Sequence, residues 1–169
     1  EDDFEILSSH GEAEPKSMIA EEEVMLAVDI GTTTIALQML GAKSGEVLHT
    51  HTTINRQRAY GADVISRIKA SGEGKKSELQ QSILSDLAEG IKALLTASGL
   101  AKNKIKKIAI AGNTTMTHLL MGYDCESLGI FPFTPVNINL IETEIEGIPA
   151  YILPGISTFV GGDIAAGLL

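Results

Sequence analysis

The stretch Leu26-Ala27-Val28-Asp29-Ile30-Gly31-Thr32-Thr33-Thr34-Ile35-Ala36-Leu37-Gln38 constrains the fold more than any other part of the chain. An apolar run carries one Asp near its end, Gly-Thr-Thr-Thr turns it, and Ile35-Ala36-Leu37 leaves again. The pattern predicts a strand, a tight turn and a second strand. Gly31 can take a backbone conformation that costs other residues dearly, which suits the turn. A hairpin tip of this kind can aim backbone N–H groups and hydroxyls at an anion. Asp29, at the end of a buried strand, can hold a magnesium ion through its waters. The pair of features suits the β- and γ-phosphates of a nucleotide. An ordinary hairpin with a turn glycine accounts for the same residues, so the choice needs the rest of the chain.

The pattern beyond the hairpin predicts an α/β domain. Strand one is expected at 24–30 and strand two at 34–40, with breakers at 41–45 and a third strand at 46–53. Neither face of that third strand is wholly apolar, which puts it towards a sheet edge. A polar loop at 55–61 leads into a helix whose apolar residues are Val64, Ile65 and Ile68, interrupted by Gly72 and Gly74. From Ser77 a longer helix carries Leu79, Ile83, Leu87, Ile91, Leu94 and Leu95 as a stripe and ends at Gly99. Ile108-Ala109-Ile110-Ala111 reads as a short buried strand, with Asn113 or Thr114 capping a helix to Met121. Residues 126–149, with Pro132, Pro135 and Pro149, read as irregular. Tyr151-Ile152-Leu153 is the fifth strand, and Gly161-Gly162-Asp163 opens a last helix.

Charge is lopsided. The net charge is −9, of which the first 23 residues carry −8, so the remainder is nearly neutral. These first residues read as an acidic, solvated linker. Strong nucleic-acid binding wants a basic face, and the sequence offers none. No apolar run is long enough to span a bilayer, and no signal-peptide pattern is present. A cytoplasmic protein is the plain expectation. The single cysteine, Cys125, excludes an internal disulfide, and His49, His51, His118 and Cys125 match no zinc or iron–sulfur spacing.

Four blocks together carry a family resemblance. Asp29-Ile30-Gly31-Thr32-Thr33-Thr34 resembles the first phosphate motif of the actin, sugar-kinase and heat-shock-chaperone ATPase superfamily. Asn55-Arg56-Gln57-Arg58-Ala59-Tyr60-Gly61-Ala62-Asp63-Val64-Ile65-Ser66-Arg67-Ile68, Ala111-Gly112-Asn113-Thr114-Thr115-Met116-Thr117-His118-Leu119-Leu120 and Val160-Gly161-Gly162-Asp163-Ile164-Ala165-Ala166-Gly167 follow in order. In that order they resemble the ATPase domain of the reductive activators of corrinoid proteins, from about residue 24 to 169.

The resemblance implies a ribonuclease-H-like lobe at 24–169, with a mixed five-stranded sheet and helices, forming the first half of an actin-like ATPase domain. The second lobe would be absent, and residues 1–23 would tether a ferredoxin-like module and a middle module. It implies a piece of an ATP-dependent activator that returns cob(II)alamin to cob(I)alamin on corrinoid methyltransferase proteins, inactive alone. ATP and Mg²⁺ would be its cofactors, and any [2Fe–2S] cluster would sit in a domain this chain lacks. Asp29 would hold hydrated magnesium, and Thr32 and Thr33, with Gly31 and Thr34, would meet phosphate oxygens. Gly112, Asn113 and Thr114 would border the cleft, where the helix start is an alternative role. Gly161, Gly162 and Asp163 would face it too, with Asp163 a second catalytic carboxylate or merely a residue favoured by the helix dipole. Arg58 could offer charge to a phosphate and Asp63 could cap the helix after it, or the whole block could be a polar loop. A corrinoid protein is the expected partner, and self-association through an exposed interlobe face is also possible. A small-molecule kinase of the same superfamily and a non-catalytic interaction module are the alternative functions.

Overall fold

The computed structural model describes residues 23–154; Gly161, Gly162, Asp163 and the acidic stretch 1–22 lie outside the described residues. Six strands form one mixed sheet: β1 (Val24–Ile30), β2 (Thr34–Gly41), β3 (Val47–Ile54), β4 (Ile105–Gly112), β5 (Ile141–Ile145) and β6 (Ile148–Ile152). Their spatial order is β3-β2-β1-β4-β6-β5. The β1–β4 and β4–β6 pairs are parallel and the others antiparallel. This is the expected ribonuclease-H-like arrangement with one strand more than expected.

The extra strand is β5, inside the segment read as irregular. Ile141-Glu142-Thr143-Glu144-Ile145 alternates apolar and polar residues, the period of a half-buried strand. Glu146 and Gly147, at φ 53° and 75°, make the two-residue turn that returns it as β6. Two left-handed residues in succession match the twist of the flanking strands. Pro149 does not break β6, because pairing with β4 begins only at Ala150.

The helices are α1 (Val64–Ala70), α2 (Lys76–Ser98), α3 (Thr114–Met121) and the single turn α4 (Glu126–Gly129). A five-residue wide turn, Ser71–Lys75, joins α1 to α2, and Gly74 supplies its φ of 93°. Asp63 caps α1 as expected, its carboxylate accepting from Ser66 N at 2.7 Å. The capping bonds from Ser66 hold that carboxylate below the usual range. Gly99 ends α2 in the left-handed conformation.

Alternation decides which strand face each side chain takes. Leu26, Val28 and Ile30 of β1 and Ile35, Leu37 and Met39 of β2 are buried in the core cluster with Leu79, Ile83, Leu87 and Leu94 of α2. The helix comes close over β2 at Gly90, where a Cβ would lie 2.8 Å from a Leu37 methyl. The opposite face of the central strands carries small residues, Ala27, Ala36, Ala109 and Ala111. Strand β3 lies at one edge, as its mixed faces imply. Just ahead of β1, the Glu23 carbonyl accepts from Ala42 N at 3.0 Å and its carboxylate meets Lys106 at 2.9 Å. Among the described residues, no helix is long and apolar enough to cross a membrane.

His118 ties the irregular segment to α3. It is 1% exposed, and its Nε2 accepts from Val136 N at 2.9 Å. Burial pushes its pKa down, partly offset by the Thr114 carbonyl. The folded chain therefore refuses a proton that the unfolded chain takes up as pH falls below the ordinary histidine value of about 6.5. Stability is fully present above that value and is expected to fall between pH 7 and 5. His118→Gln keeps an acceptor without a titration and should flatten that slope in urea unfolding at the two pH values.

Candidate functional site

The parallel pairing of β1 with β4 brings two loops together at the carboxyl ends of both strands. Ile30 is level with Gly112, so the hairpin tip (31–33) lies beside the start of α3. Any side chain at position 112 would press on the tip: a Cβ there would lie 3.0 Å from the Ile30 carbonyl oxygen. Asn113 caps α3 through Oδ1, which accepts from Met116 N at 3.0 Å. Its Nδ2 meets Thr32 Oγ1 at 3.2 Å. Asp29, Gly31 to Thr34 and Gly112 to Thr114 thus lie in one cluster. Thr114 is only 3% exposed, so its side chain belongs to the packing.

Asp29 is exposed on the alanine-lined face of the sheet. Its neighbours on the flanking strands are Ala36 and Ala111. Two methyl groups leave space around the carboxylate, which borders a depression of about 390 Å³ that also includes Gln38 and Leu153. The carboxylate is an oxygen donor standing on an otherwise largely apolar face. It fits an ion such as Mg²⁺ that keeps most of its waters, and it does not form a closed cage. Among the described residues, no group of three His, Cys, Asp or Glu side chains could hold a metal.

The need for glycine at 31 is steric. Gly31 is not among the positive-φ residues; instead a Cβ there would sit 2.7 Å from the Thr34 carbonyl oxygen, which accepts from Gly31 N at 2.9 Å. That hydrogen bond closes the hairpin over only two intervening residues, which makes the turn tight.

The block at 55–68, whose role the sequence leaves open, is the support of this tip. Asn55 is fully buried, and its Nδ2 donates to the Gly31 carbonyl at 2.9 Å. Its backbone N donates to the Thr33 carbonyl at 2.9 Å. Between them, Arg67 Nη2 donates to the Thr32 carbonyl at 2.6 Å. Three successive carbonyls are therefore turned inward and held. In a trans peptide the N–H points opposite to the C=O, so the N–H groups of Thr32, Thr33 and Thr34 are turned to the other side. Successive N–H groups on one side form an anion-binding concavity.

Arg67 is the residue that sequence reasoning passed over. It is fully buried, whereas Ile65, read as part of the apolar stripe, is 64% exposed. Val64, Arg67 and Ile68 share a helix face by their spacing of three and four, and Ile65 lies off it. Arg58 is exposed, and the cation at the tip is Arg67. Arg56 instead pairs with the buried Asp86 and with Glu89 on α2, anchoring the loop to that helix.

Cys125 is buried, and burial pushes its thiol up to about 12. A thiol held neutral is a poor metal ligand, so the residues present do not fit an iron–sulfur cluster. Iodoacetamide should leave Cys125 unmodified in the folded chain and label it fully in urea, read by mass spectrometry.

The family described as the RACo middle region matches residues 24–169. The chain belongs to that family. It is 32% identical over 154 residues to the corrinoid activation enzyme RamQ of Eubacterium limosum. That match covers 85% of this chain and 26% of RamQ. The solved structure of a reductive activator for corrinoid, iron–sulfur protein matches with a TM-score of 0.82 at 35% identity. It covers 88% of this chain and 25% of that one, so this chain spans about a quarter of the length of either relative.

Proposed function

We propose that this chain supplies the first phosphate loop of an ATP-dependent reductive activator, one that returns cob(II)alamin to cob(I)alamin on a corrinoid protein. It would form the first half of an actin-like ATPase domain. The observation that carries the reading is the run of three inward carbonyls at Gly31, Thr32 and Thr33, with Asp29 exposed beside them. The N–H groups of Thr32 and Thr33 would hold β/γ-phosphate oxygens, and Asp29 would accept hydrogen bonds from waters on Mg²⁺. The metal would neutralise phosphate charge. The names of the two relatives support the corrinoid protein as partner.

A chimera in which this chain replaces the matching quarter of RamQ tests the whole reading. Supplied with a low-potential one-electron reductant, it should convert cob(II)alamin to cob(I)alamin on its corrinoid protein only with ATP present, followed by visible absorbance, and lose this with Asp29→Ala. Conversion by a folded chimera that is indifferent to both ATP and Asp29 would overturn the proposal.

A further inference from the structure

We infer that Arg67 is the positioning residue of the phosphate tip, a buried cation that fixes the Thr32–Thr33 peptide and lends it positive character from behind. The inference rests on the phosphate reading of the tip and adds to it a group that no ligand would touch.

The guanidinium is 0% exposed, and its partners are all neutral. Nε donates to the Gly61 carbonyl at 2.9 Å, Nη2 to the Thr32 carbonyl at 2.6 Å, and Nη1 to Gln57 Oε1 at 3.4 Å and Met116 Sδ at 3.3 Å. Gln57 is itself fixed, with Nε2 donating to the Leu79 carbonyl at 2.7 Å. Asp63 contributes only at a distance and is engaged with Ser66.

A buried charge without an ionised partner is costly, and an uncharged side chain could donate to one carbonyl more cheaply. Burial lowers the Arg67 pKa, but guanidinium starts so far above neutrality that it stays charged. The charge therefore persists with no ionised group hydrogen-bonded to it among the described residues. Its shortest hydrogen bond is to the peptide whose other edge, the Thr33 N–H, faces the proposed anion. A guanidinium on the carbonyl polarises that peptide and strengthens the N–H as a donor. An anion on the far side would in turn supply the countercharge that Arg67 lacks. The planar fork matters as well. Lysine keeps the charge but cannot reach Gly61, Thr32 and Gln57 in one plane.

The test is a titration of the ¹⁵N-labelled 169-residue chain with magnesium tripolyphosphate, following the Thr32 and Thr33 amides and the Arg67 Nε–Hε resonance. In the wild type all three should shift with one midpoint, although Arg67 is sealed from solvent. Arg67→Lys should displace the two amides before ligand is added and weaken binding by about tenfold, the size of one charge-assisted hydrogen bond. A shift of the amides with Arg67 Nε–Hε unmoved, or unchanged affinity in a folded Arg67→Lys, overturns the role of Arg67 alone. Should Arg67→Lys fail to fold, the wild-type Arg67 resonance decides the matter. Unmoved Thr32 and Thr33 amides in the wild type overturn the phosphate reading itself.

Discussion

Asp29→Ala is expected to weaken Mg-ATP binding by about tenfold or more and to abolish the advantage of Mg-ATP over metal-free ATP. The size follows from losing a charged acceptor for metal-bound water, a hydrogen bond of about 1.5–3 kcal/mol. The carboxylate is exposed and flanked by Ala36 and Ala111, so its removal opens no cavity. Thermal unfolding should therefore move little, within the roughly 0.5 kcal/mol usual for surface changes. Calorimetric titration with and without magnesium, beside a melting curve, separates the two effects. A variant that keeps the full magnesium dependence would remove Asp29 from the site.

Asn55→Leu is expected to have the largest effect on stability, a loss of about 2–4 kcal/mol. Leucine keeps the branched outline but is bulkier and offers no polar atom. The Gly31 carbonyl loses its donor at 2.9 Å, and Gln57 N loses the acceptor at 3.0 Å that starts the short helix Arg56–Ala59. The buried Gly31 carbonyl left unsatisfied costs about 1–3 kcal/mol, and the lost cap at Gln57 N adds about 1. For a chain of this length the melting temperature should fall by roughly 5–15 °C. The tip should also lose its set conformation, because Asn55 holds the Gly31 carbonyl at one end and the Thr33 carbonyl, through its own N–H, at the other. Unfolding in urea checks the size. A cost under about 0.5 kcal/mol would mean that the tip holds its shape without this residue.

The parts that could be read from sequence were those written locally. The hairpin at 24–41, the capped starts of α1 and α3, and the Gly99 stop each depend on residues within a few positions of one another. Strand β5 was equally local in its Ile-Glu-Thr-Glu-Ile alternation, but three prolines around it drew the reading towards irregular structure. The support of the tip was not legible for a different reason. Asn55 and Arg67 meet the tip through contacts spanning up to 35 positions, and their partners there are backbone carbonyls that leave no sequence trace. Arg67 left one faint sign: a charge sits at helical spacing from Val64 on the face that Ile68 also occupies. Glycine at 31 was correctly singled out for the wrong cause, since crowding by the Thr34 carbonyl excludes a side chain there without any unusual φ.

The most direct test of the central claim is an amide-shift titration of the wild-type chain with Mg-ATP beside one with adenosine. If the outward N–H groups at the tip bind phosphate, the amides of Thr32, Thr33 and Thr34 should move most with Mg-ATP and stay still with adenosine. Shifts of equal size with both ligands, or Mg-ATP shifts confined to residues away from the tip, would contradict it.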